Sequence, residues 1–227
     1  MKKMLLFAVL VISGLTIFAQ QRDVTKFLGI PVDGTKSEMI QKLKAKGFRW
    51  NMEKECLEGE FNGRDVEISI VTNNNKVYRI AVVDAIFSNE TSIRIRFNSL
   101  CKQFNNSEKY IALSDYTIDE DEDISYGISV KNKRYEASYY QVSSIEEYQE
   151  EIANDTLEIF KYYKRKGISR NEIANLSEEE SRNILMEYLL EKISKKSVWF
   201  MIVDIYGKYL ISMYYDNGYN APNGEDL

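Results

Sequence analysis

The chain has 227 residues, with 30 Lys and Arg against 35 Asp and Glu, a formal charge of −5 and no histidine. The missing imidazole removes Ser-His-Asp and Cys-His nucleophile systems, histidine-ligated zinc and the commonest general base near neutral pH. The acidic balance gives little reason to seek nucleic acid or an anionic membrane surface, and 44% hydrophobic residues with only 2 Pro and 11 Gly describe a globular chain without long linkers.

The opening "MKKMLLFAVLVISGLTIFAQ" reads as an export signal: Lys2 and Lys3 form a positive n-region, Met4 to Phe18 an apolar run, and Ala19 a small residue at its end. A retained membrane anchor is the alternative, but the run is short against the roughly 20 residues of a span. Cleavage near Ala19 leaves residues 20–227 and, with Lys2 and Lys3 gone, moves the charge from −5 to −7. No later segment is apolar enough to cross a bilayer. The expectation is a periplasmic or secreted single α+β domain over 20–227, with no stable membrane span after cleavage and finer sub-units at 20–88, 89–142 and 143–227.

The elements alternate helical and hairpin signals. "DGTKSEMIQKLKAKGF" opens on a Thr35-x-x-Glu38 capping box, lines Met39, Ile40 and Leu43 along one face and stops at Gly47. "ECLEGEF", the Asn62-Gly63 turn and "DVEISIV" predict a hairpin, and "TNNNK" turns the chain into "VYRIAVV". A helix over about 90–104 carries Ile93, Phe97, Leu100 and Phe104 on one face. "DISYGISV" alternates Ile124, Tyr126, Ile128 and Val130 with polar residues, which predicts a strand paired through Lys131–Lys133 with one bearing Tyr135, Ala137 and Tyr139. Residues 143–194 read as helical, marked by the capping boxes Ser143-x-x-Glu146, Ser169-x-x-Glu172 and Ser177-x-x-Glu180. The last hairpin, "VWFMIVDIYGKYLISMYY", is apolar on both faces over much of its length and belongs centrally in a sheet. Three hairpins, near 66–83, 124–141 and 198–215, each follow a helical segment. The fold class is therefore α+β: antiparallel hairpins, helices packed on one face, arranged as helix–hairpin units.

Little chemistry survives inspection. Cys56 and Cys101 form the one disulfide candidate, and burial as free thiols is the other reading. Ser99-Leu100-Cys101-Lys102 has the S-x-x-K spacing of serine β-lactamases, but the Lys-Thr-Gly strand that accompanies it there is absent. In the acidic run, Asp119, Asp121 and Asp123 match the first three ligand positions of an EF-hand. Ile124 and Val130 then stand where glycine and a bidentate glutamate belong, which leaves a looser calcium site, a docking patch or a solvated turn. The tail "DNGYNAPNGEDL" reads as a flexible or surface-lying coil. Among 16 tyrosines, the predicted strand residues Tyr126, Tyr135 and Tyr139, with Trp199, are candidates for an aromatic binding surface, core packing being the alternative for each. No cofactor is expected.

"FLGIPVDGTKSEMIQKLKAKGF", "GEFNGRDVEISIVTNNNKVYRI" and "YYDNGYNAPNGEDL" resemble exported proteins of unknown function from gut-dwelling Gram-negative bacteria. The succession of short helices and hairpins also resembles β-lactamase-inhibitor-protein-like modules and their small outer-membrane-assembly relatives. That resemblance implies a binding role. The expected function is a non-enzymatic binding module for a protein or envelope component. The alternatives are a carboxylate-based hydrolase of envelope or extracellular glycans, and a structural envelope protein.

Overall fold

The computed structural model describes residues 23–142, 156–222 and 224; the expected export signal and the Ser143-x-x-Glu146 box lie outside the described residues. A two-stranded ribbon, β1 (Lys26–Phe27) and β2 (Ile30–Pro31), precedes α1 (Lys36–Ala45). The capping box forms as the sequence predicts: Thr35 Oγ1 accepts from the Glu38 amide, and Glu38 Oε2 accepts from the Thr35 amide at 2.9 Å. Each bond satisfies an N–H that the first helical turn would otherwise leave without a partner. At the other end Gly47, with φ +103, turns the chain out of the helix.

Four strands then run as a meander: β3 (Arg49–Asn51), β4 (Cys56–Phe61), β5 (Arg64–Asn73) and β6 (Lys76–Asp84). The β4–β5 turn is Asn62-Gly63 (φ 52 and 69) and the β5–β6 turn is Asn74-Asn75 (φ 47 and 60). Positive φ at both central residues gives these turns the twist that paired strands require, and Asn and Gly tolerate that conformation. The rest of the chain repeats the plan. It runs through α2 (Glu90–Asn105), β7 (Tyr110–Ala112), α3 (Ile124–Ser129), β8 (Glu136–Gln141), α4 (Thr156–Arg165), α5 (Arg170–Ile173), α6 (Glu178–Ser194), β9 (Ser197–Ile205) and β10 (Lys208–Asp216). All eight strands from β3 onward form one antiparallel sheet in the order β3-β4-β5-β6-β10-β9-β8-β7. Two helix-plus-four-strand units thus meet where β6 pairs with β10, and α3 to α6 are insertions in the second.

The expected hairpin over 124–141 is corrected. Ile124–Ser129 is helix, because Asp123 Oδ1 accepts from the Tyr126 amide at 2.7 Å and starts a turn there. Ile124 and Ile128 are four residues apart, so a helix also places both against the core, leaving Tyr126 and Val130 exposed. β8 pairs instead with β7 and β9. The tail is likewise no loose coil over its first part. Asn217, fully buried, donates from Nδ2 to the Val32 carbonyl at 2.7 Å, and Asn220 Nδ2 reaches Asp33 Oδ1 and the Val77 carbonyl. Gly218 donates to the Lys195 carbonyl, so this one segment ties together the N-terminal ribbon, the β5–β6 hairpin and the end of α6.

The core lies between α1 and α2 and one face of the sheet. Met39 and Leu43 of α1, with Ile93, Phe97, Leu100, Cys101 and Phe104 of α2, pack on Ile68, Ile80, Met213, Phe200 and Tyr139 of the strands. Phe104 stacks on Tyr139 with ring centroids 4.6 Å apart, and Phe97 meets Phe200 edge-on at 5.1 Å. Each such ring contributes on the order of 1.5–3 kcal/mol by leaving water. Among the described residues, no helix is long and apolar enough to cross a membrane.

Candidate functional site

In a strand, successive side chains point to opposite faces. Val198, Phe200 and Ile202 of β9 face the helices, as do Tyr209, Ile211, Met213 and Tyr215 of β10. Trp199, Met201 and Val203 therefore point to the other face, beside Leu210, Ser212 and Tyr214, with Ala81 and Val83 continuing it on β6. This alternation explains why the final hairpin is apolar on both faces.

At one end of that second face the cross-strand register builds a cluster. Arg79 lies directly opposite Asp216 across β6 and β10, and Tyr214 opposite Trp199 across β10 and β9. Arg79 grips the Asp216 carboxylate with two parallel bonds, Nε to Oδ1 at 2.6 Å and Nη2 to Oδ2 at 2.7 Å. Trp199 Nε1 donates to Oδ2 at 3.0 Å. The Trp199 and Tyr214 rings stack with centroids 4.2 Å apart, and the guanidinium carbon of Arg79 lies 5.0 Å from the Tyr214 centroid and 5.4 Å from that of Trp199. The forked bond to Asp216 holds the Arg79 guanidinium still further above its ordinary range. The result is a rigid, half-buried aromatic platform whose charges are already paired. It offers flat π surface and a fixed cation edge, the features that suit recognition of another surface.

The structure separates the aromatic residues singled out from sequence. Trp199 belongs to the platform. Tyr135 and Tyr139 are buried on the helix side, where burial pushes both phenols above their usual range. Tyr126 is exposed on α3 with the Lys131 ammonium 5.3 Å from its ring. Arg79, Tyr214 and Asp216 were missed. Strand pairing alone brings them to Trp199, and the only signal in the sequence was the two-faced apolar hairpin.

The acidic run is a loop clamped to α2. Arg94 donates to the carbonyls of Glu120 and Glu122, Asn98 exchanges hydrogen bonds of 2.8 and 2.9 Å with Ile118, and Glu90 Oε1 accepts from the Ile124 amide at 2.8 Å. Asp119, Asp121 and Asp123 are exposed, and Asp123 spends an oxygen on capping α3. Glu122 binds Lys133 Nζ at 2.7 Å and also the Tyr135 hydroxyl, and its carboxyl is held below the ordinary range by Lys133 first and Tyr135 second. Among the described residues, no group of three or more Cys, Asp or Glu stands together as a metal site.

Cys56 and Cys101 are free thiols, both buried, in place of the disulfide candidate. The sheet lies between them. Cys101 sits in the core on α2, whereas Cys56 neighbours Leu57, which faces that core, and so points to the opposite face with Glu58 and Glu67. Ser99 is exposed on α2 and accepts a long 3.4 Å bond from Gln103, and Lys102 is also exposed.

Fold and site together define an α+β protein with a helix-backed antiparallel sheet and an aromatic, ion-paired platform on the other face. Comparison with protein-family models, with curated proteins and with solved structures finds no match.

Proposed function

We infer that the protein is a non-enzymatic binding module that engages a protein or envelope component through the sheet face around Trp199 and Tyr214. The observation that carries this reading is the platform itself: two stacked aromatic rings locked by a bidentate Arg79–Asp216 pair on a half-buried face. Rigid aromatic area loses little conformational entropy on binding, which is why Tyr, Trp and Arg carry so much interface energy. The three donor contacts on Asp216 fill three of its roughly four acceptor positions and make it the structural anchor of the platform. An exported setting, read from residues 1–19, places the partner in the periplasm or outside the cell.

The test is capture from a native envelope fraction with the immobilised mature chain, alongside Trp199→Ala and Tyr214→Ala. A component retained by the natural chain and lost from both variants supports the reading. If neither variant changes what is retained, the sheet-face reading fails; if nothing is retained while a glycan panel is cleaved, the hydrolase takes its place.

A further inference from the structure

A second concave feature lies on the helix side, away from the platform. Between the Asn62-Gly63 turn, the start of β5 and α2 is a cleft of about 340 Å³ lined by Asn62, Arg64, Arg96, Ser92, Ser99 and Gln103, with Ile95 as its apolar member. Every polar side chain in this lining can donate a hydrogen bond, and no carboxylate is among the described residues that line it. Of the two cations here, Arg96 is already paired with the buried Asp84 carboxylate, so Arg64 supplies the net positive charge of the cleft.

The two arginines differ in their commitments. Arg96 is 8% exposed; it donates to Asp84 Oδ1 at 3.3 Å and to Asn62 Oδ1 at 2.8 Å, while its Nε has no partner. A buried guanidinium N–H without an acceptor is costly, although the Asp84 carboxylate, itself 7% exposed, already balances the Arg96 charge. Arg64 is half-buried at the cleft and makes no ion pair or hydrogen bond through its side chain with any described residue. The cleft borders a second slot of about 200 Å³, and the two share Asn62 and Gln103, which are hydrogen-bonded to each other at 2.6 Å. That slot is walled by Phe61, Leu100, Phe104, Tyr110 and Met213. A donor-rich compartment beside an apolar one matches a ligand with an oxyanion head and an apolar tail.

We propose that this double cleft binds an amphipathic anion, its carboxylate or phosphate head held by Arg64 and Arg96 and its apolar portion lying in the slot along Leu100 and Phe104. The proposal is independent of the sheet-face reading, since the platform shares no residue with either compartment.

The experiment is calorimetric titration of the mature chain, below micelle-forming concentrations, with octanoate, octyl phosphate, octanol, acetate and inorganic phosphate. Saturable binding of octanoate or octyl phosphate is expected, and the tighter of the two identifies the head group. Octanol and the two short anions should bind about tenfold more weakly or not at all. Arg64→Ala should cut affinity for the charged ligands by about tenfold and leave the melting midpoint of the free protein unchanged, because Arg64 makes no side-chain bond. Octanol binding as tightly as octanoate, acetate binding as tightly as octanoate, no saturable binding by either octyl anion, or an Arg64→Ala variant with undiminished affinity would each overturn it. Trp199→Ala should bind the octyl anions normally, so failure here is distinguishable from failure of the sheet-face module.

Discussion

Removing the Asp216 carboxylate is the sharpest test of the platform. The Arg79 side chain is 29% exposed and that of Asp216 14%, so the pair sits between a surface salt bridge, worth about 0–1 kcal/mol, and a buried pair whose breakage costs about 3–5 kcal/mol. Asp216→Ala deletes both Arg79 bonds and the 3.0 Å bond from Trp199, and leaves a partly desolvated guanidinium with no counter-charge. We expect a loss of about 2–3 kcal/mol, or about 5–10 °C in melting midpoint for a chain of this size. Arg79→Ala should cost about 2 kcal/mol, since Asp216 keeps its Trp199 donor. The double variant should cost about 3 kcal/mol, giving a coupling of about 1–2 kcal/mol. Urea unfolding of all four proteins, at a common slope, measures the cycle. A coupling below about 0.3 kcal/mol would show that the two side chains act independently and that the platform is not locked by the pair.

Three other outcomes follow from particular residues. Glu122 has its carboxyl held below the ordinary range by Lys133 and Tyr135, so its folded value lies below its unfolded one. The stability it lends is fully present above the unfolded value and is lost as pH falls through the folded value; Glu122→Gln should therefore flatten the acid limb of the melting-midpoint profile, and an unchanged limb would show that these bonds do not persist in solution. Burial pushes the Cys101 thiol up to about 11, and Cys56 is raised by burial as well. A thiol reagent at mildly alkaline pH should find both unreactive in the folded chain and two equivalents on unfolding without reductant, whereas none on unfolding would mean a disulfide. Tyr206 holds φ +54 at the β9–β10 turn with its ring fully exposed, a conformation that costs a non-glycine residue roughly 1 kcal/mol. Tyr206→Asn should raise stability by about 0.5–1 kcal/mol in urea, and a loss would mean that the ring makes contacts in solution.

Local signals carried the local elements well. The capping boxes at Thr35, Ser169 and Ser177 form as read, and Asn62-Gly63 makes its turn. Each depends on hydrogen bonds and φ preferences within a few residues. The reading failed at Ile124–Ser129, where one short stretch satisfies both periods. Ile124 and Ile128 are alternate positions in a strand and successive turns in a helix, and the Asp123 cap decided between them. It failed again at the tail, where the Asn217 and Asn220 bonds span more than 140 residues of sequence and only the assembled sheet makes them available.

By itself the sequence determined that the protein has no histidine chemistry, that its helices and Asn-rich turns alternate, and that its last hairpin lies inside a sheet. Composition and spacing a few residues long are enough for those statements. Only the tertiary structure decided that two helix-and-meander units join through β6 and β10, that Cys56 and Cys101 fall on opposite sides of the sheet, and that Arg79 meets Asp216 beside Trp199. The reason is register. Which residues face one another across strands far apart in the chain depends on the pairing as a whole, and a slip of one residue would turn every one of those side chains to the other face.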